Sequence, residues 1–229
     1  MKLNLEYVEN PKTCDAFFRV TCEEKGITTV KNLTVEETLR LLGKSTYENE
    51  VKYYDPGEKP YGYVKHFASD RADTFKIALL YPAKKRGVKY FNDTYFVPYP
   101  NVLYIYEVRK GYVQTKRCFA VKDKVITPET RLYRFPFGNV TGDTGSMCYG
   151  NIKFPRLKNM SDIDKVVDLF LSGGVNDDLW HGNISKKWKQ FELFQYLENK
   201  KTFPNNLLVE VEGNATTFDK VFKTTGYNW

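Results

Sequence analysis

The residues with the clearest chemical potential in this chain are gathered in "RFPFGNVTGDTGSMCYGNI", from Arg134 to Ile152. It ends near one cysteine, Cys148, behind two glycine-containing polar turns. A thiol becomes a useful nucleophile when it is partly exposed and its thiolate is favoured. Glycines at 142, 145 and 150 let backbone approach from either side. Backbone N–H groups in such turns can face an anion. Asn139 lies upstream with a side-chain amide able to donate two hydrogen bonds, and such a donor near a thioester carbonyl can stabilise an oxyanion. The plainer reading stands beside this one: "SMCY" as a buried strand and "GDTG" as an ordinary hairpin turn.

The other cysteines are Cys14, Cys22 and Cys118. No C-x-x-C pair occurs, and His66 and His181 are the two histidines, so a structural zinc site is disfavoured. A disulfide framework does not suit a chain of 229 residues that opens without an export signal. Cys118, in "RCFAV" beside Phe119, reads as a packing residue, since free cysteine commonly behaves as a small hydrophobe.

The elements that must position these groups follow from pattern. The sequence is 41% hydrophobic and 16% aromatic, enough for a sizeable core and unlike a disordered chain. Apolar runs such as "IALLY" and "VVDLFL" are far shorter than a membrane span, and a cytoplasmic protein with no membrane partner is the simplest expectation. Residues 1–31 read as short strands, "LNLEYV", "AFFRVTC" and "GITTVKN". A helix follows, with Thr34 and Glu37 spaced as a capping box, Leu39 and Leu42 on one face and Gly43 at its end. Residues 44–71, with turn signals at Asp55-Pro56-Gly57 and Pro60, read as a linker, so the expected division is an N-terminal α+β module over 1–70 and a second domain over 71–229.

In the second domain "DTFKIALLYP" alternates Phe75, Ile77, Leu79 and Tyr81. "KYFNDTYFVPYP" reads as a broken strand pair or loop. "VLYIYEVRKGYVQTKRCFAVKD" reads as a hairpin turning at Lys110-Gly111, and "TRLYRFPF" as a further strand. A helix capped by Ser161 carries Val166, Val167, Phe170 and Leu171 and stops at Gly173-Gly174. A second, from Ser185, carries Trp188, Phe191, Phe194 and Leu197, and "LLVEVEG" completes the pattern as one more strand. Strands grouped before helices predict an α+β fold, an antiparallel meander with flanking helices, rather than a wound parallel sheet.

The net charge is +7, and Lys84–Arg131 alone holds eleven Lys and Arg against four Asp and Glu. Interleaved with Tyr90, Tyr95 and Tyr112, this basic stretch suits an acidic partner, a nucleic acid, or simply a solvated sheet face.

The run "FPFGNVTGDTGSMCYGNI" resembles the active-site segment of ubiquitin-conjugating enzymes, in which a His-Pro-Asn motif and a glycine-containing loop precede the thioester cysteine. From "VPYPNVLYIYEV" through "TRLYRFPFGNV" and "CYGNI" to "DLFLSGGVNDDLWHGN", roughly Pro98–His181, it is similar to family D of the bacterial enzymes of this type. That family includes protein B of plasmid-borne cassettes that also encode ParB-related and ThiF-related proteins. The resemblance implies that Pro136 and Asn139 take the place of the Pro-Asn pair and Cys148 that of the thioester cysteine. Phe135 stands where a histidine is usual, Phe137 and Gly138 separate Pro136 from Asn139, and the Asn-to-Cys gap is about one residue longer.

The implied chemistry is transthioesterification. A ThiF-like activating enzyme hands over the carboxyl terminus of a ubiquitin-like protein, Cys148 holds it, and an amine, a target lysine, attacks. No metal or bound cofactor is required. Asp143 is the candidate for assisting the amine, with Asp177 and Asp178 behind it, each also readable as a turn or cap residue. His181 reads either as a base paired with Cys148 or as a member of an aromatic cluster beside Trp180. Two other functions fit the residues: a catalytically inactive adaptor that binds a ubiquitin-like protein or an activating enzyme, and a nucleic-acid-binding protein of a mobile element acting through residues 84–131.

Overall fold

The computed structural model describes residues 2–9, 16–38 and 57–224. Leu39, Leu42, Gly43, Cys14, the turn residues Asp55 and Pro56, and the last five residues lie outside that description. The chain divides into two compact units, Met1–Tyr53 and Tyr54–Trp229.

The first unit holds three antiparallel strands in sequential order, β1 (Lys2–Glu9), β2 (Ala16–Glu24) and β3 (Ile27–Thr34). Lys25 and Gly26, both at positive φ, close the β2–β3 hairpin, the backbone demanded by a two-residue turn that matches strand twist. Residues 35–38 are helical, and the expected capping box is present. The Thr34 N–H donates to Glu37 Oε2 at 3.0 Å and the Glu37 N–H donates to Thr34 Oγ1 at 3.1 Å.

The second unit is built on a four-stranded antiparallel sheet of β4 (Tyr63–Ala68), β5 (Phe75–Tyr81), β8 (Asn101–Arg109) and β9 (Tyr112–Val121), in that order. Between β5 and β8 a separate hairpin is inserted, β6 (Lys85–Tyr90) and β7 (Asp93–Pro98). The stretch read as linker therefore contributes a strand: β4 pairs with β5 from Tyr63↔Leu79 to Ala68↔Phe75. The division falls at Tyr53/Tyr54 rather than near residue 70, because β4 extends the larger sheet.

Period-2 alternation sorts the sheet's side chains onto two faces. Phe75, Ile77, Leu79 and Tyr81 of β5, with Val102, Tyr104, Tyr106 and Val108 of β8 and Cys118 and Ala120 of β9, enter one core. Ala78, Leu103, Ile105, Phe119 and Val121 enter the other. The first core is closed by α1 (Ile163–Ser172) through Ile163, Val166 and Val167 and by α2 (Gln190–Glu198) through Leu193, Phe194 and Leu197. The second is closed by α3 (Phe218–Thr224) through Phe218, Val221 and Phe222. Lys76 lies on that second face. Its buried ammonium donates to the Phe222 carbonyl, and burial pushes its pKa down to about 8. Lys110 and Gly111, again both at positive φ, turn β8 into β9 as the sequence predicts.

Three expectations shift. Asn159, not Ser161, caps the 3-10 turn that enters α1: its Oδ1 accepts from the Ser161 N–H at 3.2 Å and from Ser161 Oγ at 2.7 Å. The second helix starts at Gln190 rather than Ser185, because the preceding segment is held extended against the chain, the Ser185 N–H donating to Leu207 O. "LLVEVEG" is not a regular strand. It makes isolated bridges to two different segments, Ile184↔Leu208 and Tyr133↔Glu210.

Candidate functional site

Tyr133 pairs with Ala120 of β9. The Ala120 and Tyr133 N–H groups each donate to the other's carbonyl at 2.9 Å, while Arg134 N–H donates to Val209 O on the far side. Phe135 and the bend residues Pro136 and Phe137 that follow are buried. Phe135 packs against Tyr99, Phe137 and Phe170, so the position where a histidine is usual is here an apolar core site. An imidazole there would need a hydrogen-bond partner in an aromatic surrounding.

The chain then folds into a small hairpin. The Cys148 N–H donates to Asn139 O at 2.7 Å, Thr141 N–H to Ser146 O at 2.9 Å, and Gly145 N–H to Thr141 O at 2.8 Å. Its second arm is sewn to β9 by Cys118 N–H to Gly145 O at 2.8 Å and Met147 N–H to Lys116 O at 3.1 Å. Strand parity decides the rest. Gly145, Met147 and Tyr149 are buried, whereas Ser146, Cys148 and Gly150 are exposed. The "SMCY" segment is thus strand-like, with its thiol on the outward parity.

Gly145 is required here. Its φ is +63°, and a Cβ would collide with the Phe119 ring and lie 2.8 Å from Cys118 O. Asn139 also takes the left-handed region, at φ 65°, which asparagine tolerates better than other side chains. Its amide is occupied: Nδ2 donates to Gly174 O at 2.8 Å and Oδ1 accepts from Asn176 N–H at 3.4 Å. Asn139 therefore ties the hairpin that carries Cys148 to the loop after α1.

That loop and the hairpin enclose a cleft of about 230 Å³ with Cys148 in its wall. Asn139, Gly150 and Ile152 line it from the hairpin side. Leu169, Phe170 and Gly173 from α1 and its cap, then Gly174, Asn176, Asp178 and Leu179, line the other side. Asp178 is the carboxylate at this cleft. Asn176 Nδ2 donates to its Oδ2 at 3.0 Å, and its N–H donates to Asn176 Oδ1 at 3.0 Å.

The four residues singled out from the sequence are not all brought together. Cys148 and Asn139 share the cleft. Asp143 is turned away onto Arg134, whose Nε and Nη2 donate to its two oxygens at 2.8 Å each, and Glu212 N–H adds a bond of 3.2 Å. Burial raises its pKa, but the Arg134 hydrogen bonds, the Glu212 N–H and the guanidinium charge outweigh that and hold it below the usual carboxylate range. His181 lines a separate depression with Trp180, Lys186, Lys187 and Trp188. Asp177 accepts from Tyr90 OH at 3.0 and 2.9 Å. Cys118 is fully buried, and burial pushes its thiol well above the ordinary value.

Two residues the sequence reading passed over hold the site. Gln190 is fully buried at the start of α2; its Oε1 accepts from Gly138 N–H and its Nε2 donates to Asn176 O at 2.9 Å. Asn183 is buried, and its Nδ2 donates to Phe137 O and Leu179 O, each at 3.1 Å. Gly138 leaves room for the first clamp, since a Cβ there would strike Asn176 O and come within 2.8 Å of Gln190 Oε1. A signal for Gln190 exists: it occupies the apolar stripe Gln190, Leu193, Phe194, Leu197 at i, i+3, i+4 and i+7.

The basic stretch is partly spent on the fold. Lys116 lies over Tyr149 and Phe154, Lys122 lies over Tyr133 at 4.2 Å, Arg109 pairs with Glu107, and Arg131 pairs with Glu210. No helix among the described residues is long and apolar enough to cross a membrane.

A meander flanked by helices, with an exposed cysteine behind an asparagine-bearing loop, defines an α+β fold of the ubiquitin-conjugating type. The chain belongs to prokaryotic E2 family D, whose description matches residues 63–211. The match begins at the first strand of the larger sheet and ends before α3. That family sets the chain in the context of ubiquitin-like conjugation, and of contact with ubiquitin-like proteins or activating enzymes in general. No curated protein and no solved structure matches the chain.

Proposed function

We propose that the protein is a ubiquitin-like conjugating enzyme in which Cys148 carries the modifier as a thioester. The observation that supports this most is the outward parity of Cys148 in the wall of a cleft, in a chain whose Cys118 is sealed in the core. The Cys148 thiolate attacks the thioester carbonyl of a modifier held by a ThiF-like activating enzyme. The tetrahedral intermediate collapses with expulsion of that enzyme's thiolate. A target lysine amine then attacks the new thioester, an amide bond forms, the Cys148 thiolate leaves, and the amine proton passes to a carboxylate or water. Asp178, at the cleft, suits that last role better than Asp143, whose oxygens are committed to Arg134 and the Glu212 N–H. Asn139 acts by position, its backbone carbonyl fixing the Cys148 N–H and its amide fixing the facing loop. His181 lines a separate depression and carries no step of this reading. A reducing cytoplasm, the expected setting, keeps such a thiol free.

The test combines the purified protein, a ThiF-like enzyme, ATP and a ubiquitin-like protein, read on a non-reducing gel. The expected result is a thiol-sensitive adduct that persists in Cys118→Ala and disappears in Cys148→Ala. Modifier binding without any adduct would replace the enzyme with an adaptor.

A further inference from the structure

β5 and β8 are hydrogen-bonded antiparallel neighbours, Phe75↔Val108 to Tyr81↔Val102, a pair that a few residues can connect. The chain instead inserts the β6–β7 hairpin between them. One face of that hairpin is explained: Val88, Tyr90, Tyr95 and Val97 pack on the first core, with Tyr95 stacked on Phe194 of α2. The opposite face is not. Phe96 is 58% exposed opposite Gly87, with the Lys85 ammonium 5.9 Å from its ring centroid, and Lys89 lies on the same face. At the tip Phe91 is 61% exposed at φ 50°. A bulky aromatic in the left-handed region of a two-residue turn is an outlier where asparagine or glycine is the favoured choice, and such outliers concentrate at binding sites.

The hairpin is continuous with the Cys148 cleft. Val175 N–H donates to Lys89 O at 2.8 Å, Tyr90 and Val175 form a parallel bridge, and Tyr90 OH is held by Asp177. The residues on either side of Val175, Gly174 and Asn176, line the cleft. Burial, then the Asp177 hydrogen bond and charge, push the Tyr90 hydroxyl up to about 12, so this anchor stays a donor across the working pH range.

Resting on the thioester reading, we infer that the outer face of β6–β7 docks the segment of the ubiquitin-like modifier just before its reacting carboxyl terminus, and selects an apolar residue flanked by carboxylates. Phe91 and Phe96 supply the apolar contact. Lys84, Lys85 and Lys89 set the charge, against the single acid Asp93 over residues 84–98; Lys85 also donates to Glu198 O, and Arg86 lies on the inner face with its guanidinium over the Tyr81 and Tyr99 rings. A protein segment is taken over a nucleic acid because the family to which the chain belongs sets it among proteins that contact ubiquitin-like proteins.

The experiment measures fluorescence anisotropy with the full-length protein and two labelled synthetic peptides, as free acids. One carries Glu-Leu-Glu ahead of a tail of small residues, and the other replaces both glutamates with lysine. The expected result is roughly tenfold tighter binding of the acidic peptide. Phe91→Asn, which suits the turn and preserves the fold, should remove most of that advantage, and Phe96→Ser and Lys89→Glu should reduce it roughly fivefold or more. Equal binding of both peptides, or an advantage retained in all three variants, would overturn the inference. So would displacement of the acidic peptide by oligothymidylate at lower concentration than by unlabelled peptide, which would make the face a nucleic-acid site. Because the peptides carry no thioester, binding that survives in Cys148→Ala while no adduct ever forms would defeat the catalytic reading and leave the docking face standing.

Discussion

Cys118 and Cys148 lie on adjacent, hydrogen-bonded segments, with the Cys118 N–H bonded to the hairpin that ends at Cys148. Their thiols nevertheless meet opposite surroundings. Cys118 points from β9 into the aromatic core beneath α1 and α2, where no ionised sulfur is tolerated. Cys148 sits on an outward position of a strand added at the sheet's margin, facing a cleft roofed by the loop after α1. The residue that follows does not separate them, since each is followed directly by an aromatic, Phe119 or Tyr149. The difference is made by which parity each strand turns to the core and by which element closes the far side.

The sharpest way to break that contrast is alkylation of the native protein, mapped by peptide mass. Cys148 should react at least about 100-fold faster than Cys118 at neutral pH, and Cys148→Ala should abolish labelling of that peptide. Comparable rates would mean the core opens as readily as the cleft. Next in size is Gly145→Ala, which places a Cβ against Phe119 at a positive φ. A loss of about 2–4 kcal/mol in denaturant unfolding is expected, with faster alkylation of Cys118 as the hairpin lifts; unchanged stability would show that this junction is loose.

Gln190→Leu leaves Gly138 N–H and Asn176 O without their partner. It should cost about 1–3 kcal/mol and slow any reaction of Cys148 through the cleft wall, whereas an effect on stability alone would separate the clamp from the site. The smallest effect is electrostatic. The Asp143 carboxyl is held below its ordinary range in the folded protein. Its pairing therefore contributes stability that is present above the unfolded carboxylate range and lost as pH falls through the lower folded value. With Asp143 43% exposed, the contribution is about 1 kcal/mol or less. Asp143→Asn should flatten the acid limb of a stability-versus-pH curve by that amount and leave the neutral-pH alkylation rate of Cys148 unchanged. A slowed Cys148 would return Asp143 to the site.

Elements set by short-range patterns were legible in the chain. Alternation in "DTFKIALLYP" and "VLYIYEV" reports the sheet because strand side chains must alternate. Lys110-Gly111 reports its turn, and Thr34 with Glu37 reports a helix start through hydrogen bonds only three residues long. Elements ruled by distant partners were less so. The strand Tyr63–Ala68 hid in a stretch rich in turn residues, since its partner β5 supplies the ladder. "LLVEVEG" has strand-like residues but splits its bonds between Ser185 and the 132–134 stretch. Asp143 looked like a neighbour of Cys148 because it is five residues away, yet Arg134, nine residues back, claims it.

By itself the sequence determined the α+β class, written in the spacing of its strand and helix patterns, and carried the resemblance to the family, with Cys148 as a candidate thiol. Whether that thiol faces water, which carboxylate shares its cleft, and that Gln190 and Asn139 hold the walls together were decided only by tertiary structure. Burial and hydrogen-bond partnership depend on residues far apart in sequence arriving at the same place.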